Sequence, residues 1–139
     1  MIETYRGVVY PNQLDHMGHM NVQWYTSKFD EATWHVFANI GITNTYIKEK
    51  NCGMAALEQK INYKAEVMPG DLLVVRSEIL KIENKTIKFR HYMFDADKDS
   101  LSATSELIAV HLDREKRKAI PLPDFVKEYC DRFIPVPSS

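Results

Sequence analysis

Residues 21–41 read NVQWYTSKFDEATWHVFANIG, and this stretch has the spacing of a long amphipathic helix. Asn21 can cap its N-terminus with a side-chain oxygen, and Gly41 supplies a C-terminal stop. The pattern predicts a helix over 22–40, about 28 Å long at 1.5 Å per residue. Trp24, Trp34 and Phe37 widen the apolar face, so we expect the helix to be well buried. Intervals of three and four residues place the main apolar side chains on one face: Val22, Tyr25, Phe29, Ala32, Val36 and Ile40.

On either side of this helix the sequence has the character of strands. A short strand at 5–10 precedes it, and β-rich segments follow at 54–67, 72–82, 86–94 and 101–112. Tight turns between such segments make antiparallel neighbours, and one helix can cover one face of the resulting sheet. The predicted fold class is α+β, a single domain over 1–139 with a curved antiparallel sheet around one long central helix.

The ends of this predicted fold carry two further expectations. A short helix is predicted over 124–133, within a C-terminal helix and tail that occupy about 121–139. One face or edge of the sheet stays partly uncovered by the single helix. We therefore expect a homodimer or homotetramer.

Composition excludes several classes of function. The 139 residues contain 18 Lys+Arg against 19 Asp+Glu, a formal net charge of −1, so no overall field attracts nucleic acid or anionic lipid. No apolar stretch approaches the roughly 20 residues that span a bilayer, and the N-terminus lacks the pattern of a signal peptide. A cytoplasmic protein with reduced thiols at Cys52 and Cys130 is expected.

The chemistry is concentrated in residues 15–21, DHMGHMN, directly before the helix. A helix N-terminus presents unpaired N–H groups and partial positive charge, which can polarise a carbonyl and stabilise an oxyanion. A carboxylate at Asp15 could attack that carbonyl or activate a water. Gly18 lets the backbone turn sharply.

Plainer interpretations of the same residues remain open. Asp15 could only cap a loop, His16 fits an exposed or structural role, and His19 could either shape the loop or assist Asp15. The two histidines with Asp15 could also suggest a metal site. The spacing lacks the H-E-x-x-H order, so no metal is expected.

The pattern Asp-x-x-Gly-His-x-Asn, followed by the aromatic pair Trp24-Tyr25, resembles the hotdog-fold thioesterases of the 4-hydroxybenzoyl-CoA thioesterase type. The resemblance extends from about residue 5 to about residue 118. It implies hydrolysis of an acyl-CoA to a free acid and CoA, with Asp15 as nucleophile or general base. It also implies that backbone N–H groups near Val22 polarise the thioester carbonyl, and that His19 and Asn21 occupy polar site positions.

The chain departs from this family's pattern at two positions. Val22 stands where many bacterial members have histidine, and Met17 stands where plant acyl-carrier-protein thioesterases have asparagine. The resemblance implies no cofactor beyond the CoA of the substrate. It does not determine the acyl group, and it does not determine whether the carrier of the thioester is CoA or acyl carrier protein.

Two basic clusters could contact CoA phosphates, and each could equally be a solvated face. Lys88 and Arg90 lie on one predicted strand, and the second cluster follows another strand at 114–118. Lys85 and His91 belong to the first cluster. Glu66 is expected to be exposed on its strand, whereas Glu58 could face a ligand from a neighbouring subunit.

Two other functions are compatible with the predicted fold. A hydroxyacyl-thioester dehydratase or hydratase needs an acid/base pair, usually a histidine with a carboxylate, and the Asp15 loop fits that chemistry poorly. A non-catalytic acyl-thioester binding module would keep an apolar tunnel without needing the carboxylate.

Overall fold

The computed structural model describes residues 1–130. A 3₁₀ turn at Pro11–Gln13 lies between the first strand and the long helix. The strands and helices, in chain order, are β1 (Ile2–Val8), α1 (Val22–Asn39), α2 (Asn44–Lys50), β2 (Cys52–Tyr63), β3 (Leu72–Ile82), β4 (Thr86–Asp95), β5 (Ser100–Asp113), β6 (Lys118–Ala119) and α3 (Phe125–Cys130).

One antiparallel sheet contains all the strands, in the order β1-β3-β4-β5-β2, with β6 added to β5. The predicted fold class, a curled antiparallel sheet with one long helix, is confirmed. Tight turns join β3 to β4 and β4 to β5, as expected.

The connection from β2 to β3 is different, and the expectation of a tight turn between antiparallel neighbours fails there. β2 pairs with β5 along its length, from Cys52 opposite Asp113 to Tyr63 opposite Ala103. The linking segment 64–71 hydrogen-bonds instead to the chain before α1: Met20 N–H donates to the Val67 carbonyl at 2.9 Å. Such bonds satisfy the backbone of a segment that crosses to another part of the sheet.

Helix α1 lies against the sheet through two clusters of buried side chains. Phe29 and Ala32, both 0% exposed, pack in the first cluster with residues of β3, β4 and β5. Val36 and Ile40 pack in the second with Ile87, Phe89 and Leu107. Alternate residues of β4 point at the helix, because side chains along a strand alternate between its two faces.

The ends of α1 agree closely with the prediction. Asn21 caps the start by accepting a hydrogen bond from the Gln23 N–H, and the helix ends at Asn39 with Ile40 as its C-cap. Gly41 has a φ of +88°, and a Cβ there would lie 2.6 Å from the Phe125 ring. The turn out of the helix therefore requires glycine.

The expectation that α1 is well buried holds for only part of the helix. Val22 is 59% exposed and Trp34 is 54% exposed, whereas Lys28 is only 4% exposed. The helix is buried where it faces β3, β4 and β5, and Lys28 is buried on the flank towards β1.

Three further observations concern the rest of the chain. Helix α2 was not predicted, since its seven residues are too few to show a periodic pattern. The short C-terminal helix begins at Phe125, and the predicted part beyond residue 130 lies outside the described residues. Cys52 and Cys130 are both buried, and they form no disulfide with each other.

Candidate active site

Asp15 lies at the tip of a tight loop that leads into α1. Its Oδ1 accepts hydrogen bonds from the N–H groups of Met17 at 2.8 Å and His19 at 3.2 Å. The Asp15 N–H donates to the His19 carbonyl at 2.7 Å, and Gly18 takes a φ of +80° to close the turn. The loop is therefore held by one carboxylate oxygen. The other oxygen, Oδ2, makes no hydrogen bond within residues 1–130.

The loop also fixes the pKa of this carboxyl. Burial raises the pKa of Asp15, but the hydrogen bonds from the Met17 and His19 N–H groups, with the nearby imidazoles of His19 and His16, lower it further than burial raises it. The pKa consequently lies below its ordinary value. At neutral pH the group is a carboxylate.

The start of α1 supplies a free N–H beside this carboxylate. The Gln23 N–H is occupied by the Asn21 side chain, and the Trp24 N–H donates to the Asn21 carbonyl at 2.9 Å. The Val22 N–H has no acceptor among the described residues. Asp15 and Val22 line the same shallow cavity, of about 310 Å³. The structure thus brings these two predicted site residues together.

The other predicted site residues have different positions. His19 lines this cavity, whereas Asn21 does not, because its amide oxygen is engaged in capping the helix. His16 is exposed. The His19 Nε2 lies 3.4 Å from an oxygen of Glu66, whose side chain is 71% exposed. Glu66 is exposed as expected, but it follows the end of β2 and is not part of the strand.

An aromatic pair forms the wall of the cavity opposite the loop. The rings of Tyr25 and Tyr63 meet edge to face with centroids 5.0 Å apart. Burial raises the pKa of Tyr25 to about 12, and the charge of Asp15 acts in the same direction. The Tyr25 phenol therefore stays neutral near pH 7.

A larger cavity of about 510 Å³ lies between α1 and β2, and sequence reasoning did not find it. Near the helix start its walls are polar, with Gln23, Thr26 and Asp30. Towards α2 the walls are apolar, with Phe37 and Met54 among them. Its lining begins at Gln23, the residue after Val22, and it shares no lining residue with the Asp15 cavity.

A buried hydrogen-bonded chain ends at this cavity. His91, 0% exposed, contacts Ser77 Oγ at 2.6 Å through Nδ1 and Thr33 Oγ1 at 2.8 Å through Nε2. Ser77 in turn lies 2.7 Å from Thr4 Oγ1. Thr33 lines the cavity wall. Burial lowers the pKa of His91 to about 3, so the ring is neutral at physiological pH.

His91 therefore does not belong to a basic surface, which corrects the grouping made from sequence. Lys88 and Arg90 point away from α1, because β4 alternates between buried and half-buried residues. Glu106 accepts from both, with distances of 2.9 Å to Lys88 and 2.8 Å to Arg90. Hydrogen bonds from Arg90 and Lys88 lower the pKa of Glu106 to about 2. The positive charges of Lys88 and Arg90 are thus both paired with the negative charge of Glu106.

The second basic cluster is open. The residues of the 114–118 turn are exposed, and none of the four basic side chains forms an ion pair within the described chain. Glu58 lies on β2 opposite Ile108, and it lines neither of the two cavities near Asp15.

Residues 1–130 contain no group of three or more His, Cys, Asp or Glu side chains arranged to hold a metal ion. None of the helices in this part of the chain has the length and apolar character needed to cross a membrane.

Comparison with known proteins gives a consistent result. A betainyl-CoA thioesterase from Pseudomonas aeruginosa is 24% identical over 143 residues, covering 99% of this chain and 90% of that protein. An L-carnitine dehydrogenase/betainyl-CoA thioesterase from Agrobacterium fabrum is 27% identical over 122 residues, 86% of this chain, which spans only 24% of that longer protein.

The fold is shared with solved structures. A hypothetical protein from Staphylococcus aureus, determined in complex with CoA, superposes with a TM-score of 0.86 at 18% identity, covering 100% of this chain and 91% of that one. The model of the thioesterase-like superfamily matches residues 9–129. The chain therefore belongs to the thioesterase-like superfamily and is a thioester hydrolase of the hotdog fold.

Proposed function

We propose that the protein hydrolyses an acyl-CoA to a free acid and CoA at the Asp15 cavity. The observation that carries this proposal is that Asp15 and Val22 line one cavity, while Asp15 Oδ2 and the Val22 N–H have no partner within residues 1–130. A thioester carbonyl that accepts a hydrogen bond from Val22 is polarised in the helix-dipole field. Its carbon is then open to attack from the side of Asp15.

The low pKa of Asp15 favours a nucleophilic role over a general-base role. A general base works best with a pKa near the working pH, and the pKa of Asp15 lies below its ordinary value. As nucleophile, Oδ2 bonds to the acyl carbon, the C–S bond breaks, and the CoA thiolate leaves and takes up a proton. Water then cleaves the mixed anhydride and restores the carboxylate.

The acyl group is proposed to extend along α1 into the larger cavity. Its volume of about 510 Å³ is within the range of small-molecule pockets. The first part of the wall, at Gln23 and Thr26, can hydrogen-bond a polar acyl group, while Phe37 and Met54 suit a hydrocarbon end.

A second substrate class is favoured by the aromatic pair near Asp15. The ring faces of Tyr25 and Tyr63, with Glu66 beside them, suit a cation close to the carbonyl. A betainyl group has such a cation, and two of the relatives are named for it. Measuring kcat/KM for release of CoA from betainyl-CoA and from straight-chain acyl-CoAs decides between the two substrate classes.

A homodimer with sites near the subunit boundary is supported by the free edge of β2. No strand of the described chain pairs with that edge. Leu57, 63% exposed, lies there at a bulge, and Tyr63 is 51% exposed. A second copy that continues the sheet at β2 would also cover the cavity between α1 and β2.

The test of the central proposal is Asp15→Asn. Asparagine can keep Oδ1 as acceptor for the loop N–H groups of Met17 and His19. Its NH₂ group takes the place of Oδ2 and cannot attack the thioester carbonyl. We expect CoA release to fall by about 10²–10⁴-fold while acyl-CoA binding persists. The matched control is Asn21→Asp, which keeps a cap acceptor at the helix start. Near wild-type turnover by a folded Asp15→Asn protein would show that Asp15 is not the reacting group.

Hydration or dehydration of a hydroxyacyl thioester is the second candidate function. The contact between His19 and Glu66 is the observation in its favour, since a histidine with a carboxylate can move protons on the acyl carbons. This reaction releases no thiol. Loss of enoyl-CoA absorbance without thiol release would therefore replace the hydrolase proposal.

A further inference from the structure

Lys28 occupies an unusual place on α1. Its neighbours in the helix turn, Tyr25 and Phe29, are core residues, and Lys28 itself is only 4% exposed. The Nζ donates a hydrogen bond to the Tyr5 hydroxyl at 3.1 Å and lies 5.5 Å from the centre of that ring. The flank of α1 that holds Lys28 faces β1 and is the opposite flank from the one that faces β2.

This ammonium lacks a charged partner. No carboxylate of the described chain lies within 4.0 Å of it, and the Tyr5 hydroxyl accepts one of its three N–H donors. A buried cation without a counter-charge is costly, and proteins keep such groups mainly where a function requires them. The packing of α1 alone would be served better by an apolar side chain.

A cavity of about 350 Å³ opens beside Lys28. Tyr10 and Trp24 supply aromatic surface to its wall, and Ser27 adds a hydroxyl. Glu31 also lines it, beyond ion-pair distance from Lys28. This cavity shares no lining residue with the one that contains Asp15, and it shares only Ser27 with the larger cavity beside β2.

We propose that this cavity is a second binding site, for a small organic carboxylate. The ligand's carboxylate pairs with Lys28, and its apolar or planar body lies against Tyr10 and Trp24. Glu31 opposes a second negative charge, so a monoanion is favoured over a phosphate dianion. The acid released by the enzyme and an unrelated metabolite acid share this chemistry. The site does not depend on hydrolysis at Asp15.

The two tryptophans of the chain make the test specific to each cavity. Trp24 lines the Lys28 cavity, and Trp34 lines the larger cavity beside β2. In a Trp34→Phe protein, Trp24 is therefore the sole tryptophan reporter. Titration with cyclohexanecarboxylate, which does not absorb at the excitation wavelength, is expected to change Trp24 fluorescence to saturation. Cyclohexylmethanol, the neutral analogue, and inorganic phosphate are expected to bind at least about tenfold more weakly, a difference of 1.4 kcal/mol.

Lys28→Met in the same background removes the charge and keeps most of the length of the side chain, and carboxylate affinity is expected to fall by about tenfold or more. Lys48→Met, on the exposed side of α2, is the matched control and should leave affinity unchanged. Equal affinity for acid and alcohol, no saturation up to about 10 mM acid, or equal affinity in Lys28→Met would each overturn the proposal. The comparison of acid with alcohol needs no Lys28 variant, so a folding defect in that variant leaves the test intact.

The same fluorescence titration with the product acid of the best thioester substrate identifies the source of the ligand. Tighter binding of that acid than of cyclohexanecarboxylate points to product, and weaker binding points to an unrelated acid. Both results support the site. Failure of thiol release would leave this titration unaffected, so the two proposals fail separately.

Discussion

The buried histidine of β4 makes the stability of the protein depend on pH in a way that can be calculated. His91 is 0% exposed and sits between the rings of Phe29, stacked at 5.7 Å, and Phe89, edge to face at 5.4 Å. Burial lowers its pKa from 6.5 to about 3. The unfolded chain therefore binds a proton at this ring at a higher pH than the folded chain does.

The sign and size of the effect follow from that difference. The contribution of neutral, buried His91 to the free energy of unfolding is fully present above the unfolded pKa of 6.5. It is lost as pH falls towards the folded pKa. Between pH 6.5 and pH 4.5 the loss is about 1.4 kcal/mol per pH unit, or roughly 3 kcal/mol in total. This is a large part of the 5–15 kcal/mol that typically stabilises a domain.

The perturbation is His91→Phe, which keeps a ring between Phe29 and Phe89 but cannot bind a proton. Ser77 and Thr33 each lose one hydrogen-bond partner, which costs about 1 kcal/mol apiece, although Ser77 keeps Thr4. The variant should thus be less stable than wild type at pH 7. It should lose roughly 3 kcal/mol less than wild type on going to pH 4.5.

Urea unfolding at pH 7 and pH 4.5, followed by circular dichroism, measures both free energies. His35→Gln, which removes an imidazole from the exposed side of α1, is the control for loss of a histidine. If wild type and His91→Phe lose the same free energy between the two pH values, within about 0.5 kcal/mol, then His91 is not the buried neutral group described.

Two further predictions concern CoA binding and assembly. Alanine at the four basic positions of the 114–118 turn should raise KM for acyl-CoA at low salt more than Lys88→Ala or Arg90→Ala does, because Glu106 already pairs with the latter two. Kinetics at low and high salt measure this, and the reverse order would locate the phosphates on the outer face of the sheet. Leu57→Asp, at the exposed bulge of β2, should shift the protein towards monomer and lower its activity. Light scattering with a parallel thiol assay checks it, and an unchanged, active dimer would exclude β2 as the interface.

Local patterns in the sequence determined most of the elements and the Asp15 loop. The start of α1 after Asn21, the bounds of β3 and the extent of β4 and β5 follow from side-chain periodicity and caps, which involve residues near one another in the chain. The same is true of Asp15, because its loop is closed by hydrogen bonds to Met17 and His19 within four residues.

Tertiary structure alone decided the surroundings of those residues. Those surroundings are made by contacts between residues that are far apart in sequence. The pairing of β2 with β5 opens the cavity along α1, and the contacts of Ser77 and Thr33 with His91 span 14 and 58 residues. The neutral state of His91 and the isolation of Lys28 are set by what packs around them, since burial and counter-charges are properties of the folded interior. A sequence shows which residues carry charge, but only the fold determines which of those charges are paired, neutralised or left open to a ligand.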